Sequence, residues 1–425
     1  MKLQYQNKPL FSFALIVVLL LTFTFSATSC FMETSDVSAK DLTEGISPSA
    51  VDERIIDDIF INNTANFTIN LFQKTITEKE NSLVSPLSVL LALAMTANGA
   101  DTETLTQMET VLAGDIKLAD LNEYLYSYSK SLPSESKSKF NIANSIWFRD
   151  NESQLVVEKD FLQKNADYYH AAIYKSAFDN QTLNEINNWV KDKTDGLIDS
   201  ILDEIDSDTV MYLINAIIFD AEWKTVYSLE NVYQDTFITE DGEKQTTDFM
   251  RSEESLFIDD GKATGFIKPY AGDNYSFVAL LPNEGISIEN YINSLTGDKL
   301  IKTIQSASSQ MVNASLPKFS YDYKITMNDA LKEMGMPLGF SPTQADFNRL
   351  GRSPMGNIYI GEVLHKTFIA VDELGTKAGA VTKVEMKAES AIEMKNVILN
   401  RPFVYAIIDQ STNLPLFIGT VVNIK

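Results

Sequence analysis

The only imidazoles in this 425-residue chain are His170 and His365, and the only thiol is Cys30. A hydrolase built from them would need one histidine as base, a serine as nucleophile and an aspartate to orient the ring. No G-x-S-x-G elbow presents such a serine and there is no glycine-rich phosphate loop, so neither hydrolase nor nucleotide chemistry has a frame to sit in. Two histidines and one cysteine are also too few for a thiolate or imidazole centre, so no metal and no cofactor is expected. His170 carries no motif, and His365 taken alone reads as a satisfied core histidine. With 58 acidic against 35 basic residues and a formal charge of −23, the chain lacks the clustered cations that phosphate backbones require, which excludes a nucleic-acid partner. The expectation is a protein that is not an enzyme.

The remaining chemistry lies at the N-terminus. Lys2 and Lys8 precede an apolar run from Leu10 to Phe25, which has the length of a secretory signal core rather than of a membrane span. Ala27-Thr28-Ser29-Cys30 follows and resembles a lipobox, with Ala27 where Leu is usual. Cys30 is thus a candidate for lipidation, giving an exported protein anchored in a bacterial cell envelope, in the outer membrane and facing the periplasm or the cell surface. The alternative is ordinary signal cleavage that leaves a free thiol. Removing residues 1–29 leaves 396 residues and shifts the charge from −23 to −25. Residues 30–52 are polar and acidic, which predicts a flexible tether carrying the acylated Cys30. The folded part is expected over 53–425 as one domain, since 44% hydrophobic residues suffice for a large core and no second linker or repeat interrupts it.

Within that domain Ile55, Ile56, Ile59, Phe60, Phe67 and Leu71 recur at helical spacing. A second helix is bounded by Ser85 as cap, Pro86 in the first turn and Gly99 at a left-handed exit, and its apolar body, residues 87–97, belongs inside the protein. Residues 213–219, 276–281, 403–408 and 416–422 read as buried strands, the last two forming a hairpin around residues 410–413. Helices gather in the first half and strands in the second, the pattern of an α+β domain.

One segment does not fit a resident core. Thr376, Ala378, Ala380, Thr382, Val384, Met386 and Ala388 are uncharged and mostly small, while five of the seven odd positions from 377 to 389 carry a charge. Such alternation is a strand with one face made for burial. Gly375 and Gly379 flank its start, and residues 390–396 read as an exposed loop. A plain edge strand would also show the pattern.

The surrounding motifs decide. Residues 81–88 (NSLVSPLS) with Ala92-Leu-Ala-Met95 and Gly99-Ala100, Asn215-Ala-Ile-Ile-Phe219 with Trp223, Tyr270-Ala-Gly-Asp273 with Leu281-Pro282, and Leu316-Pro-Lys-Phe319 resemble the serpin family in order. So do His365-Lys366, Val371-Asp-Glu373, Gly375-Thr376, Arg401-Pro-Phe403 and Leu416-Phe-Ile-Gly419, so that the likeness runs from about residue 55 to Lys425. It implies about nine helices around a large mixed central sheet, two further sheets and an exposed reactive loop at about 373–400.

The family resemblance also implies a mechanism. A protease attacks the loop, forms an acyl-enzyme, and is carried away as the cut loop enters the central sheet as a strand. Fourteen inserted residues would move it roughly 45 Å at about 3.3 Å each. The implied hinge is Glu373, Gly375, Thr376, Ala378, Gly379 and Ala380, with Lys377 departing from the usual acid. The family distance places the scissile bond between Glu389 and Ser390, with cleavage after Met386, Lys387, Ala388 or Ser390 also open. Ser85, Ser88, Asn215 and His365 match the shutter, a polar cluster beneath the point where the sheet opens, and Trp223 matches the breach where insertion begins. The implied partner is a serine or cysteine protease held covalently by a monomeric inhibitor. The acidic balance predicts no heparin site. A surface lipoprotein that binds a ligand or partner on the same scaffold without inhibiting is the other reading.

Overall fold

The structure, a computed structural model, describes residues 39–77, 79–150, 155–354, 356–376 and 394–424. Among them are nine α-helices: α1 (Asp58–Thr75), α2 (Pro86–Ala97), α3 (Thr102–Ala113), α4 (Leu118–Ser131), α5 (Lys159–Tyr169), α6 (Asn180–Lys193), α7 (Ile288–Asn293), α8 (Gly297–Gln305) and α9 (Asn328–Met334). The strands in chain order are β1 (Lys40–Asp41), β2 (Ser82–Val84), β3 (Ser138–Arg149), β4 (Val156–Val157), β5 (Ala172–Ser176), β6 (Met211–Glu222), β7 (Val232–Ile238), β8 (Lys244–Glu254), β9 (Phe257–Asp259) and β10 (Ala263–Pro269). They continue with β11 (Tyr275–Pro282), β12 (Val312–Pro317), β13 (Phe319–Thr326), β14 (Gly351–Arg352), β15 (Glu362–Val371), β16 (Gly375–Thr376), β17 (Lys395–Ile398), β18 (Phe403–Asp409) and β19 (Pro415–Val421).

A seven-stranded mixed sheet, ordered β1-β5-β3-β6-β16-β15-β13, forms the middle of the molecule, with a six-stranded sheet β2-β19-β18-β11-β10-β9, a four-stranded sheet β17-β12-β8-β7 and a two-stranded ribbon β14-β4. The apolar runs become strands for the expected reason. β11, β18 and β19 are buried at every position, which a strand covered on both faces must be. Helix α2 is buried along all 12 residues and lies against β3, β6 and β19, joining the two large sheets. On the other face of the central sheet a smaller core sets Ile186 and Val190 of α6 with Trp147, Tyr212, Ile214 and Leu364.

Several local expectations need correction. Ile55 and Ile59 are 86% and 60% exposed, because α1 begins only at Asp58 and Ile59 lies on its outward side. Ser85 occupies the cap position of α2 but its side chain makes no capping bond. Gly99 is required by a close approach and not by a left-handed turn: a Cβ there would lie 2.4 Å from Leu350 Cβ. Residues 395–396, read as loop, begin β17, which pairs parallel to β12.

The tether also needs correction from residue 39 onward. Lys40 and Asp41 pair antiparallel with Lys175 and Tyr174 of β5, and the Leu42 N–H donates to the Ile173 carbonyl at 2.8 Å. Ala39 is buried and its N–H donates to Glu185 Oε2 at 3.0 Å, while the Ser49 N–H reaches Asp167 Oδ1 at 2.6 Å. The segment follows the edge of the central sheet and supplies partners to backbone groups that an edge strand leaves open.

Candidate functional site

The centre of interest is the seam between β6 and β15. These strands pair in parallel over four rows only, from Glu362↔Tyr212 to His365↔Asn215. Beyond the last row they separate, and at the far end the two residues of β16 lie between them. Gly375 pairs with Glu222, and Thr376 with both Ala221 and Val371, antiparallel on each side. The chain reaches this position by a tight reversal after β15, in which Asp372 Oδ1 accepts from the N–H groups of Leu374 (2.8 Å) and Gly375 (3.2 Å). Glycine is obligatory at 375, since a Cβ would lie 2.0 Å from the Ala221 carbonyl oxygen.

The reversal is held by an aromatic cluster. Trp223 Nε1–H donates to the Asp372 carbonyl at 2.8 Å and the Trp223 backbone N–H to the Leu374 carbonyl at 2.8 Å. Its ring stacks on Tyr270 at 4.6 Å, and the Tyr270 hydroxyl shares a 2.5 Å hydrogen bond with Thr376 Oγ1, both side chains being buried. Lys318 pairs with Glu373 at 2.7 Å and holds that carboxyl below its usual range. Beneath Trp223, Lys268 and Glu254 form a buried ion pair at 2.8 Å, with the ammonium 4.3 Å from the centre of the Tyr227 ring. Tyr270, Tyr227, Lys318 and the Lys268–Glu254 pair were not singled out from sequence as site residues. The available signal was Lys268, a single charge inside the apolar run of β10.

At the closed end, Ser85, Ser88, Asn215 and His365 come together, all fully buried. The Ser85 N–H donates to His365 Nε2 at 3.1 Å, so the ring proton sits on Nδ1, which has no partner. Burial pushes the His365 pKa down to about 3, so the ring is neutral. Asn215 Nδ2 donates to Asn144 Oδ1 at 3.0 Å, and Ser88 Oγ reaches the same oxygen at 3.4 Å. Asn144, a fifth member, lies opposite Asn215 on β3. Its signal was a second asparagine in a strand that must be buried. Ser85 Oγ and Asn215 Oδ1 also lack hydrogen-bond partners, and such orphan groups cost about 1–3 kcal/mol each.

Of the expected hinge, Glu373, Gly375 and Thr376 stand as described. Ala378, Gly379 and Ala380, and the candidate bond residues Met386, Lys387, Ala388, Glu389 and Ser390, lie outside the described residues, as does Cys30. No group of three or more His, Cys, Asp or Glu is arranged to hold a metal ion among the described residues. His170 is exposed and ends α5 in a left-handed conformation at φ 47°.

Residues 62–424 match the family model described as Serpin (serine protease inhibitor). Human neuroserpin is 27% identical over 376 residues, covering 84% of this chain and 90% of that protein. Among solved structures, the thermophilic serpin tengpin in its native state is 57% identical, with a TM-score of 0.89 and coverage of 91% of this chain and 100% of that one. Its latent state gives a TM-score of 0.79 at 55% identity, covering 88% and 100%.

Proposed function

The chain belongs to the serpin family, and from that premise we propose that it is a suicide-substrate inhibitor of serine endopeptidases, and of cysteine endopeptidases with a similar approach to the loop. The observation that carries this reading is β16: the first two residues of an additional strand already lie between β6 and β15, which are unpaired over the rows below. Continuing both registers one residue at a time brings Thr382 opposite Asn215 and His365 together, the very pair that closes the sheet. Met386 then reaches Met211, the first residue of β6. Insertion must therefore break the Asn215–His365 row, and it delivers a hydroxyl to a place where Ser85 Oγ, Asn215 Oδ1 and His365 Nδ1 have no partner.

Thr376 faces the core, so the even positions that follow it would face the core in a strand that continued β16. This accounts for their lack of charge, since an unpaired charge there would cost several kcal/mol. In the proposed reaction the protease nucleophile attacks the carbonyl of Glu389, the bond to Ser390 breaks, the new amine leaves, and the acyl-enzyme is displaced as the loop enters the sheet. Glu389 suits an acid-specific enzyme. Lys387 suits a trypsin-like one, and Met386 or Ala388 a chymotrypsin-, elastase- or subtilisin-like one. The closer likeness to a native-state serpin than to a latent one supports a sheet still ready for insertion.

The test is incubation with a panel of serine and cysteine proteases. A covalent complex that survives boiling in detergent, with a new N-terminus near Ser390 on the C-terminal fragment, supports the reading, whereas cleavage with turnover and no complex overturns it. We further propose that Cys30 is acylated after export to a bacterial envelope. Labelled palmitate should enter the parent chain and not Cys30→Ser.

A further inference from the structure

Lys268 and Glu254 place an ion pair inside the protein, with side chains only 3% and 8% exposed. Taking both charges out of water costs about as much as their attraction returns, so such a pair adds little to stability over two apolar side chains. The insertion reaction uses neither residue directly. What the pair touches gives it a role.

Lys268 stands on β10 of the six-stranded sheet and Glu254 ends β8 of the four-stranded one, so the pair ties two sheets together. The ammonium also donates to the Thr225 carbonyl at 3.3 Å and lies 4.3 and 5.4 Å from the ring centres of Tyr227 and Trp223. Residues 223–227 therefore rest on a fixed cation. Their other side holds the reversal after β15 by three successive carbonyls. Asp372 accepts from Trp223 Nε1–H (2.8 Å), Glu373 from the Tyr227 N–H (2.9 Å) and Leu374 from the Trp223 N–H (2.8 Å). Across the four-stranded sheet Glu254 pairs with Val312, and Val312 with Lys395, so the buried carboxylate shares a row with the first residue of β17. The chain that ends at Thr376 and the chain that resumes at Lys395 are thus held from the same two buried charges.

We propose that Lys268 and Glu254 are positioning residues for loop insertion, an inference that rests on the inhibitor reading. They set residues 223–227 so that the three carbonyls, and with them β16, stay in register between β6 and β15. With the start of the new strand fixed, the cut loop pairs onward one row at a time and displaces the protease before water hydrolyses the acyl-enzyme ester. With the start loose, hydrolysis wins, and active protease is released beside a cleaved, spent chain.

The test is the double variant Lys268→Met/Glu254→Gln, which is close to the parent in volume and leaves no unpaired charge, so its thermal transition should stay near the parent's. Native-state hydrogen exchange reads the positioning by itself: the Trp223 and Tyr227 amides should exchange at least about tenfold faster while those of β11 keep the parent rate. Subtilisin, or the enzyme of the panel that the parent traps, reads the consequence. Loop cleavage should keep its rate, whereas the number of chains consumed per enzyme trapped should rise at least about fivefold. If the double variant does not fold, Tyr227→Leu, which removes the ring under the ammonium, takes its place with the same two readings. Unchanged exchange in a folded variant overturns the proposal, and so does unchanged consumption of chains where the parent traps the enzyme. Faster exchange in the variant of a parent that traps no protease upholds the positioning and refutes inhibition instead.

Discussion

His365 has one partner and no solvent, and its folded pKa near 3 lies below the ordinary 6.5. For a base with a depressed folded value, the stabilising contribution is complete above pH 6.5. It is lost progressively as the pH falls toward 3, because over that range only the unfolded chain takes up the proton. The slope is about 1.4 kcal/mol per pH unit for this one group. Urea midpoints measured between pH 6.5 and about pH 4 should therefore fall less steeply in His365→Gln than in the parent. At the other end of the seam, Thr376 is 2% exposed and bonded to Tyr270. Thr376→Arg places a guanidinium in the core, so protease complexes should drop by at least about tenfold while loop cleavage continues. Undiminished complex formation would rule out insertion. Ser85, Ser88, Asn215 and His365 were picked out through the family motifs, since a single polar side chain in a buried helix or strand reads by itself as a satisfied core group. The roles of Ser85 and Gly99 were misread, since a cap and a left-handed exit are the commonest uses of those residue types at helix ends, whereas a buried backbone contact to a distant histidine or to Leu350 leaves no local trace.

Among the elements, the strands that sit between two layers were legible because continuous apolar runs have nowhere else to go, as β11, β18 and β19 illustrate. β1 was not. Its pairing with β5 uses main-chain groups alone, and its own side chains, Lys40 and Asp41, read as solvated tether. The same applies to β17, whose first two side chains are exposed. The docking of residues 39–52 has a direct check. Limited proteolysis under native conditions should leave this segment uncut through times that degrade an added unstructured tail, because a protease needs an extended, unpaired substrate. Rapid cutting between Lys40 and Ser49 would show that the segment is free. Leu42→Pro, which removes the donor to Ile173, should increase cutting severalfold.

For the whole molecule, the β6–β15 seam leaves five residues on each strand without cross-pairing, and three buried polar atoms at its closed end lack partners. A strand inserted there would satisfy both deficits. Cleavage of the loop should therefore raise the melting temperature sharply, as scanning calorimetry can show, and an unchanged transition would remove the metastable reading. The order of the motifs revealed this architecture, whereas the open seam did not appear in any single stretch, since it is a relation between two strands some 150 residues apart.

The six-stranded sheet carries a consequence for how the protein is made. Two of its interior strands, β18 and β19, are the latest in chain order among the described elements, and β19 joins β2 from near the start. While synthesis is incomplete, β11 and β2 have no neighbour on that side, and the core beneath them cannot close. A nascent chain that lacks β18 and β19 should therefore stay unfolded until these strands have emerged. A chain stopped at residue 394 should accumulate only as protease-sensitive material, and co-expression of residues 395–425 as a separate peptide should restore a folded complex.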